Sequence, residues 1–193
     1  AKGLAFTIEQ HDENEVIAAF SVKSGEIKWK YEYRSKFEEY FGGIGPRSTP
    51  TWHKDRLYTL GAKGHLNCLD ANSGKVLWQQ NIIKENKSEV PYWGVSTSPF
   101  IYKDSVILSP GGQNNNAIIS LNAESGKVVW KKHNGNQVYS TPTLFKILNE
   151  EQLIVALEGK ILSLNPNNGE LLWSHKWKIY VNNHNIAQPA QLN

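Results

Sequence analysis

Methionine is absent from the 193 residues, cysteine occurs once, as Cys68, and arginine only three times, as Arg34, Arg47 and Arg56. A single cysteine excludes an internal disulfide and any cysteine-rich zinc or iron–sulfur site. It does not fix the redox compartment, because an exported chain with a sizeable core can do without disulfides. Three scattered arginines form no fork-shaped clamp for phosphates, and 21 Lys plus Arg against 18 Asp plus Glu leave a net charge of only +3, so nucleic acid is not an expected partner. No stretch approaches the roughly 18 consecutive apolar residues of a membrane span. With no methionine and no signal peptide at Ala1, a processed product or a fragment is the expectation. What is present, 39% hydrophobic and 20% charged residues, is enough for the packed core of one or two domains.

The sequence repeats itself. Ser21-Val-Lys-Ser-Gly25-Glu-Ile-Lys-Trp29, Asp70-Ala-Asn-Ser-Gly74-Lys-Val-Leu-Trp78, Asn122-Ala-Glu-Ser-Gly126-Lys-Val-Val-Trp130 and Asn165-Pro-Asn-Asn-Gly169-Glu-Leu-Leu-Trp173 share one frame. A second marker keeps step with it: Ser48-Thr49-Pro50, Thr97-Ser98-Pro99, Ser140-Thr141-Pro142 and the weaker Ala187-Gln188-Pro189. Between the markers the pattern reads as four short strands per unit, separated by glycine or charged turns. No window carries a helical period, although the polar stretch from Ser35 to Tyr40 is compatible with one turn.

The turn glycines suit positive φ, where an L side chain is strained. They are not a phosphate cradle, which needs clustered glycines at a strand-to-helix junction. The tryptophan four residues past each glycine places the same large ring in every unit. Runs such as Ser105-Val-Ile-Leu108 suit strands covered on both faces. A lone four-stranded sheet cannot bury both faces, whereas copies stacked around an axis do, which is the propeller architecture. A two-sheet sandwich is the lesser alternative. The expected division is a partial blade over 3–34, full blades over about 46–81, 95–132 and 138–177, and the first strand of a further blade over 185–192. Three strands, three units and one strand sum to four blades: a four-bladed ring, half of an eight-bladed ring completed by a second chain, or part of a longer polypeptide.

The repeat, best seen from Leu66 to Trp78 and from Ile119 to Trp130, resembles that of the quinoprotein-like propellers. That family includes the pyrroloquinoline quinone (PQQ) alcohol dehydrogenases and the non-enzymatic BamB-type outer-membrane assembly lipoproteins. The resemblance covers nearly all of residues 3–192. It implies an extracytoplasmic home, usually eight blades, and seams in which tryptophan and turn glycine fasten one blade to the next. It also implies, for catalytic members only, an axial chamber with PQQ, a calcium ion held by acidic and amide side chains, an aspartate base and often a disulfide of adjacent cysteines. Cys68 stands alone where Ser120 and Ser163 stand in sister units, so it reads as a small core filler.

No catalytic, cofactor-binding or metal residue is assigned. His11, His53, His65, His133, His175 and His184 show no close metal-ligand spacing, and Asp55, Asp70 and Asp104 read as turn residues. The best functional candidates are segments that break the repeat: Tyr31 to Gly45 with Tyr33, Phe37, Tyr40 and Phe41; Pro110-Gly-Gly-Gln-Asn-Asn-Asn116; and Tyr92-Trp93-Gly94. Trp52 and Trp177 are expected to be packed. The expected function is a non-catalytic scaffold or recognition module with a protein or peptide partner. A fragment of a PQQ-dependent dehydrogenase is the alternative, and only there would PQQ and calcium be cofactors.

Overall fold

The repeated turn dictates the local structure. In all four copies the glycine N–H donates to the carbonyl four residues back, as Gly25 to Ser21, Gly74 to Asp70, Gly126 to Asn122 and Gly169 to Asn165, each at 2.8 Å. The four glycines hold φ between +70° and +74°. In the second and third copies the opening side chain completes the turn, Asp70 accepting from the N–H groups of Asn72 and Ser73, and Asn122 from those of Glu124 and Ser125.

The computed structural model describes residues 1–177 and 186–191. Strands β1 (Leu4–His11), β2 (Asn14–Ser21) and β3 (Ile27–Arg34) form a three-stranded antiparallel meander. A small hairpin, β4 (Glu38–Glu39) and β5 (Gly43–Ile44), leads to a four-stranded sheet of β6 (Thr51–His53), β7 (Arg56–Leu60), β8 (His65–Asp70) and β9 (Val76–Asn81). One turn of helix, α1 (Ile82–Glu85), precedes the next sheet, β10 (Phe100–Tyr102), β11 (Ser105–Leu108), β12 (Ile118–Asn122) and β13 (Val128–Lys132). The last sheet comprises β14 (Thr143–Ile147), β15 (Glu150–Leu157), β16 (Lys160–Leu164) and β17 (Leu171–Lys176). The chain is thus all-β, a propeller of four-stranded antiparallel blades. The residues 35–40 form no helix; the helical turn stands instead at α1, where Asn81 caps two N–H groups and Ile82 and Ile83 are buried. Four residues are too few to show a 3.6 period in sequence.

The core is three seams. One joins Ile17, Ala19 and Trp29 to Leu57, Leu69 and Ala71; the next joins Tyr58, Leu66 and Cys68 to Val106, Ile119 and Leu121; the third joins Ile107, Ile118 and Trp130 to Leu153, Leu162 and Leu164. Adjacent residues on one strand, such as Leu57 and Tyr58, therefore serve different seams, which is why these strands read as continuous apolar runs.

A β-bulge lies just before each tryptophan, leaving Lys28, Leu77, Val129 or Leu172 without a partner. The register then sets each indole opposite a small residue, Ala19, Cys68, Ser120 and Ser163 in turn. Three of the indoles reach forward onto the following turn glycine. A Cβ on Gly74 would come within 2.5 Å of Trp29, one on Gly126 within 2.9 Å of Trp78 and one on Gly169 within 2.7 Å of Trp130. Trp29 Nε1 donates to the Ala71 carbonyl at 3.0 Å and Trp78 Nε1 to the Ala123 carbonyl at 3.1 Å. Trp29 and Trp130 are consequently 9% and 8% exposed.

Trp173 departs from the expectation. It is 41% exposed, and its Nε1 turns to Gln152 Oε1 of its own blade at 2.8 Å, because no described glycine turn stands against it. Trp52 and Trp177 also prove exposed rather than packed. Trp52 sits on an edge strand with a neighbour on one side only, and Trp177 lies just beyond β17.

The proline markers build a second link. The residue before each proline passes a hydrogen bond on to its counterpart: Thr49 N–H to Ser98 Oγ at 2.9 Å, Ser98 N–H to Thr141 Oγ1 at 2.9 Å, and Thr141 N–H to Gln188 Oε1 at 3.2 Å. Residues 186–191 are not a strand but lie beside β14 through Gln188 and through Gln191, which donates to the Lys146 carbonyl at 3.0 Å. The remainder of the expected strand, Asn185 and Leu192, lies outside the described residues. Among the described residues no ladder joins the β1–β3 sheet to the β14–β17 sheet.

Replacing the Trp78 indole with alanine opens a cavity and removes its hydrogen bond to the Ala123 carbonyl. Trp78→Ala is expected to lower stability by about 3 kcal/mol, and Trp173→Ala by less than about 1 kcal/mol. Urea unfolding followed by far-ultraviolet circular dichroism checks the difference.

Candidate recognition face

Because each blade is a meander, the turns between its second and third strands and the connections to the next blade emerge at one end. Two connections and the β11–β12 turn carry the segments that break the repeat. In the first, Glu39 accepts from the N–H groups of Phe41 (2.7 Å) and Gly42, closing the β4–β5 hairpin. Arg47 pins it from below: its guanidinium lies 2.9 Å from Glu39 Oε1, donates to the Gly45 carbonyl at 2.7 Å and sits 5.2 Å over the buried Phe37 ring. The hairpin tip holds Tyr40 and Phe41 edge to face at 5.1 Å, 89% and 77% exposed.

In the second connection a turn from Pro91 to Gly94, closed by Gly94 N–H to the Pro91 carbonyl at 2.8 Å, carries Tyr92 and Trp93 at its tip. Tyr92 is 61% exposed and meets Trp93 edge to face at 5.7 Å; Trp93 in turn lies 5.3 Å from Tyr139 of the third connection. The polar insertion from Pro110 to Asn116 is held to that connection by a bridge between Gly112 and Gly135, with N–H to carbonyl bonds of 2.9 and 3.0 Å each way. Asn115 N–H also donates to Asn134 Oδ1 at 2.7 Å.

Beneath these tips lies a buried carboxylate. Glu15 is fully buried; its Oε1 accepts the Ala62 N–H at 2.9 Å and its Oε2 accepts the Tyr33 hydroxyl. The Ala62 carbonyl accepts from Val95 N–H at 2.8 Å, so one carboxylate ties the first two blades to the base of the Tyr92 loop. Burial pushes the Glu15 carboxyl above the usual range, against the opposing pull of the Tyr33 and Ala62 donors. Burial, the Glu15 charge and its hydrogen bond push the Tyr33 phenol up. His65, 5.3 Å from the Tyr33 ring, is pushed down by burial and by Lys84 and Lys63.

Of the sequence candidates, Tyr40, Phe41 and Tyr92 are brought to this face. Tyr31 and Tyr33 belong to β3, not to a loop, and Phe37 is an anchor in the interior. Tyr139 and Glu15 were not singled out in the sequence. Tyr139 stands immediately before a proline marker, and Glu15 is a charge opening an apolar run. Cys68 is buried at the Trp78 seam, its thiol pushed up to about 11 by burial. Asp70 is held below the ordinary carboxylate range by the Ser73 hydroxyl and the turn N–H groups; Asp104 pairs with Lys54 at 2.7 Å and Asp55 with Lys2 at 2.5 Å.

Among the described residues no three His, Cys, Asp or Glu side chains stand together to hold a metal ion. Cys68, the one cysteine, is free and buried, so it has no adjacent cysteine to pair with, and no chemical step through a quinone is derived. No described helix is long and apolar enough to cross a membrane.

Removing the Glu15 carboxylate orphans two donors, so Glu15→Ala is expected to lose about 2 kcal/mol. An acid whose folded-state pKa is raised favours the fold most fully below its unfolded pKa and loses that contribution as pH rises through the folded value. The stability of Glu15→Gln relative to the native chain should therefore increase from pH 4 to pH 7, which urea unfolding at a series of pH values measures.

The family model described as outer membrane protein assembly factor BamB matches residues 12–188. Among curated relatives, the uncharacterized protein RC0314 of Rickettsia conorii is 30% identical over 164 residues, covering 83% of this chain and 36% of that protein. The quinoprotein alcohol dehydrogenase PedH of Pseudomonas putida is 28% identical over 153 residues, covering 74% and 25% respectively. Among solved structures, BamB from Moraxella catarrhalis superposes with a TM-score of 0.54 at 16% identity, over 88% of this chain and 47% of that one, a likeness of fold. The chain thus spans about a third or less of the length of these curated relatives. With the blade repeat, the seam tryptophans and a family match across most of its length, the chain belongs to the BamB family of PQQ-like propellers.

Proposed function

We propose that this chain is a non-catalytic propeller scaffold that recognises a protein partner through the end formed by its inter-blade connections. The observation that carries the reading is the placement of Tyr40, Phe41 and Tyr92, large aromatic side chains held in solvent by loops that are anchored from below. An exposed aromatic on a rigid support binds with little loss of conformational freedom, and such residues dominate protein interfaces. Similarity to an outer membrane protein assembly factor supports an extracytoplasmic setting.

The bare ends of the blade stack support a further level of assembly. Among the described residues Trp173 has no turn to cover, and Gly25, the first turn glycine, has open space where each seated glycine has an indole. A second copy would bring Trp173 to Gly25 and complete an eight-bladed ring with two-fold symmetry. The likeness to PedH favours the other reading, a segment of a quinone dehydrogenase whose remaining ligands lie elsewhere.

Photo-crosslinking residues placed at Tyr40 or Phe41 test the recognition reading in extracts of the cell envelope. Crosslinks to a discrete protein from these positions, and not from Lys23 or Lys127 at the opposite end, are expected; equal labelling from both ends contradicts it. Sedimentation should give twice the 21.8 kDa of one chain, whereas a compact monomer would remove the dimeric ring. Calcium-dependent uptake of the quinone with a new visible absorbance would favour the dehydrogenase.

A further inference from the structure

Among the described residues each sheet ends on a strand with a ladder on one side only: β3, β9, β13 and β17. An open row of backbone N–H and carbonyl groups is a template for another strand unless charge guards it. Three of the four edges are guarded. β3 carries Lys28, Lys30, Glu32 and Arg34, β13 carries Lys131 and Lys132, and β17 carries His175 and Lys176. β9, Val76-Leu-Trp-Gln-Gln-Asn81, has no ionisable residue and no proline. Counted from the turn glycine, its Gln79 stands where Lys30 and Lys131 stand in the neighbouring blades.

The backbone of β9 is set for pairing. Ile82 N–H donates to the Gly64 carbonyl at 2.9 Å in the register of the β8–β9 ladder. Gln80 and Trp78, at steps of two, therefore also turn inward, and Gln79 and Asn81 turn their N–H and carbonyl groups outward. Asn81 holds an extended backbone, with φ −108° and ψ 105°. The amide side chains are already engaged: Gln79 Oε1 accepts from the Tyr31 hydroxyl at 3.0 Å, Gln80 Nε2 donates to the Gly126 carbonyl at 3.3 Å and Asn81 Nδ2 to the Lys63 carbonyl at 3.1 Å. What the edge offers is its main chain, with the half-exposed Leu77 as an apolar contact.

Charge selects the occupant. Lys75 opens the strand, and Lys63 and Lys84 stand at its Asn81 end. All three side chains are exposed, and none of their ammonium groups forms an ion pair among the described residues. Together with burial, Lys84 and Lys63 hold His65, at the start of β8, below its ordinary range. Of the nearby carboxylates, Asp70 is engaged by its own turn, and Glu85 of α1 opposes a single charge. A second copy pairing β9 with β9 in antiparallel fashion would set lysine against lysine at both ends. An acidic segment meets attraction there instead.

We infer that the open edge of β9 takes an extended, acidic segment of a partner protein as an added strand. The edge is separate from the aromatic tips, so the inference does not depend on the reading of the connection face.

The test is fluorescence anisotropy of the full chain with a labelled peptide of alternating threonine and valine that carries two glutamates at each end. Saturable binding is expected, with slowed amide exchange at Gln79 and Asn81. N-methylation of alternate peptide nitrogens, which removes the ladder, should weaken it about tenfold or more. Lysine in place of the peptide's glutamates should weaken it by a similar factor. The double variant Lys75→Gln, Lys84→Gln should weaken it several-fold and flatten its salt dependence; both residues are exposed, so circular dichroism should report an unchanged fold. Absence of binding, equal affinity for the methylated or the lysine peptide, or slowed exchange confined to another strand overturns the proposal.

Discussion

The fold depends on an indole laid across a glycine turn. The turn must be glycine twice over: its φ is positive, and the ring of the preceding blade occupies the space a Cβ would need. The indole must in turn face a small residue in its own sheet, and the bulge before it sets that register. Bulge, small residue, tryptophan and glycine are therefore one device spread over two sheets. Its hydrogen bond to the Ala71 or Ala123 carbonyl gives the contact a direction as well as an area. Non-directional burial alone would let sheets slide; at the first two seams this hydrogen bond fixes how one sheet meets the next, and at the third the close approach of Trp130 to Gly169 does so.

A second constraint acts at the proline markers. The relay from Thr49 through Ser98 and Thr141 to Gln188 spends backbone N–H groups that precede the first strands, where no ladder satisfies them. Seam and relay together fix the blades at two places, and the inter-blade connections are strung between these fixed points. The connections are then free to carry functional side chains, provided they bring their own anchors. Arg47 under the hairpin, Glu15 under the Tyr92 loop and the Gly112–Gly135 bridge are those anchors. Aromatic tips on such supports keep their geometry without a partner, which is the physical basis for reading the face as a recognition surface.

Much of this was legible in the sequence because it recurs. The glycine, the tryptophan and the proline pair each appear four times in step, and Cys68 could be placed by comparison with Ser120 and Ser163. Gln188 takes its place in the relay although its triplet is the least regular. What does not recur was harder to read. The exposure of Trp173 follows from what stands across it, which its own unit does not contain. Trp52 lies on an edge strand, and its neighbours in sequence do not reveal which side is open. Glu15 reads as an ordinary surface charge until Tyr33 and Ala62 are seen to meet it across a seam. The aromatic segments could be named as candidates, but only their packing separates the anchor Phe37 from the exposed Tyr40 and Phe41.

The central claim is that the indoles are seated between blades, and exchange of their ring N–H protons measures this residue by residue. Proton-exchange spectroscopy of the seven tryptophan side chains in deuterated buffer should find Trp29 and Trp78 slow, opening only with the seam, while Trp52 and Trp177 exchange at close to the rate of a free indole. Uniformly fast exchange across all seven, with the fold intact, would contradict the account.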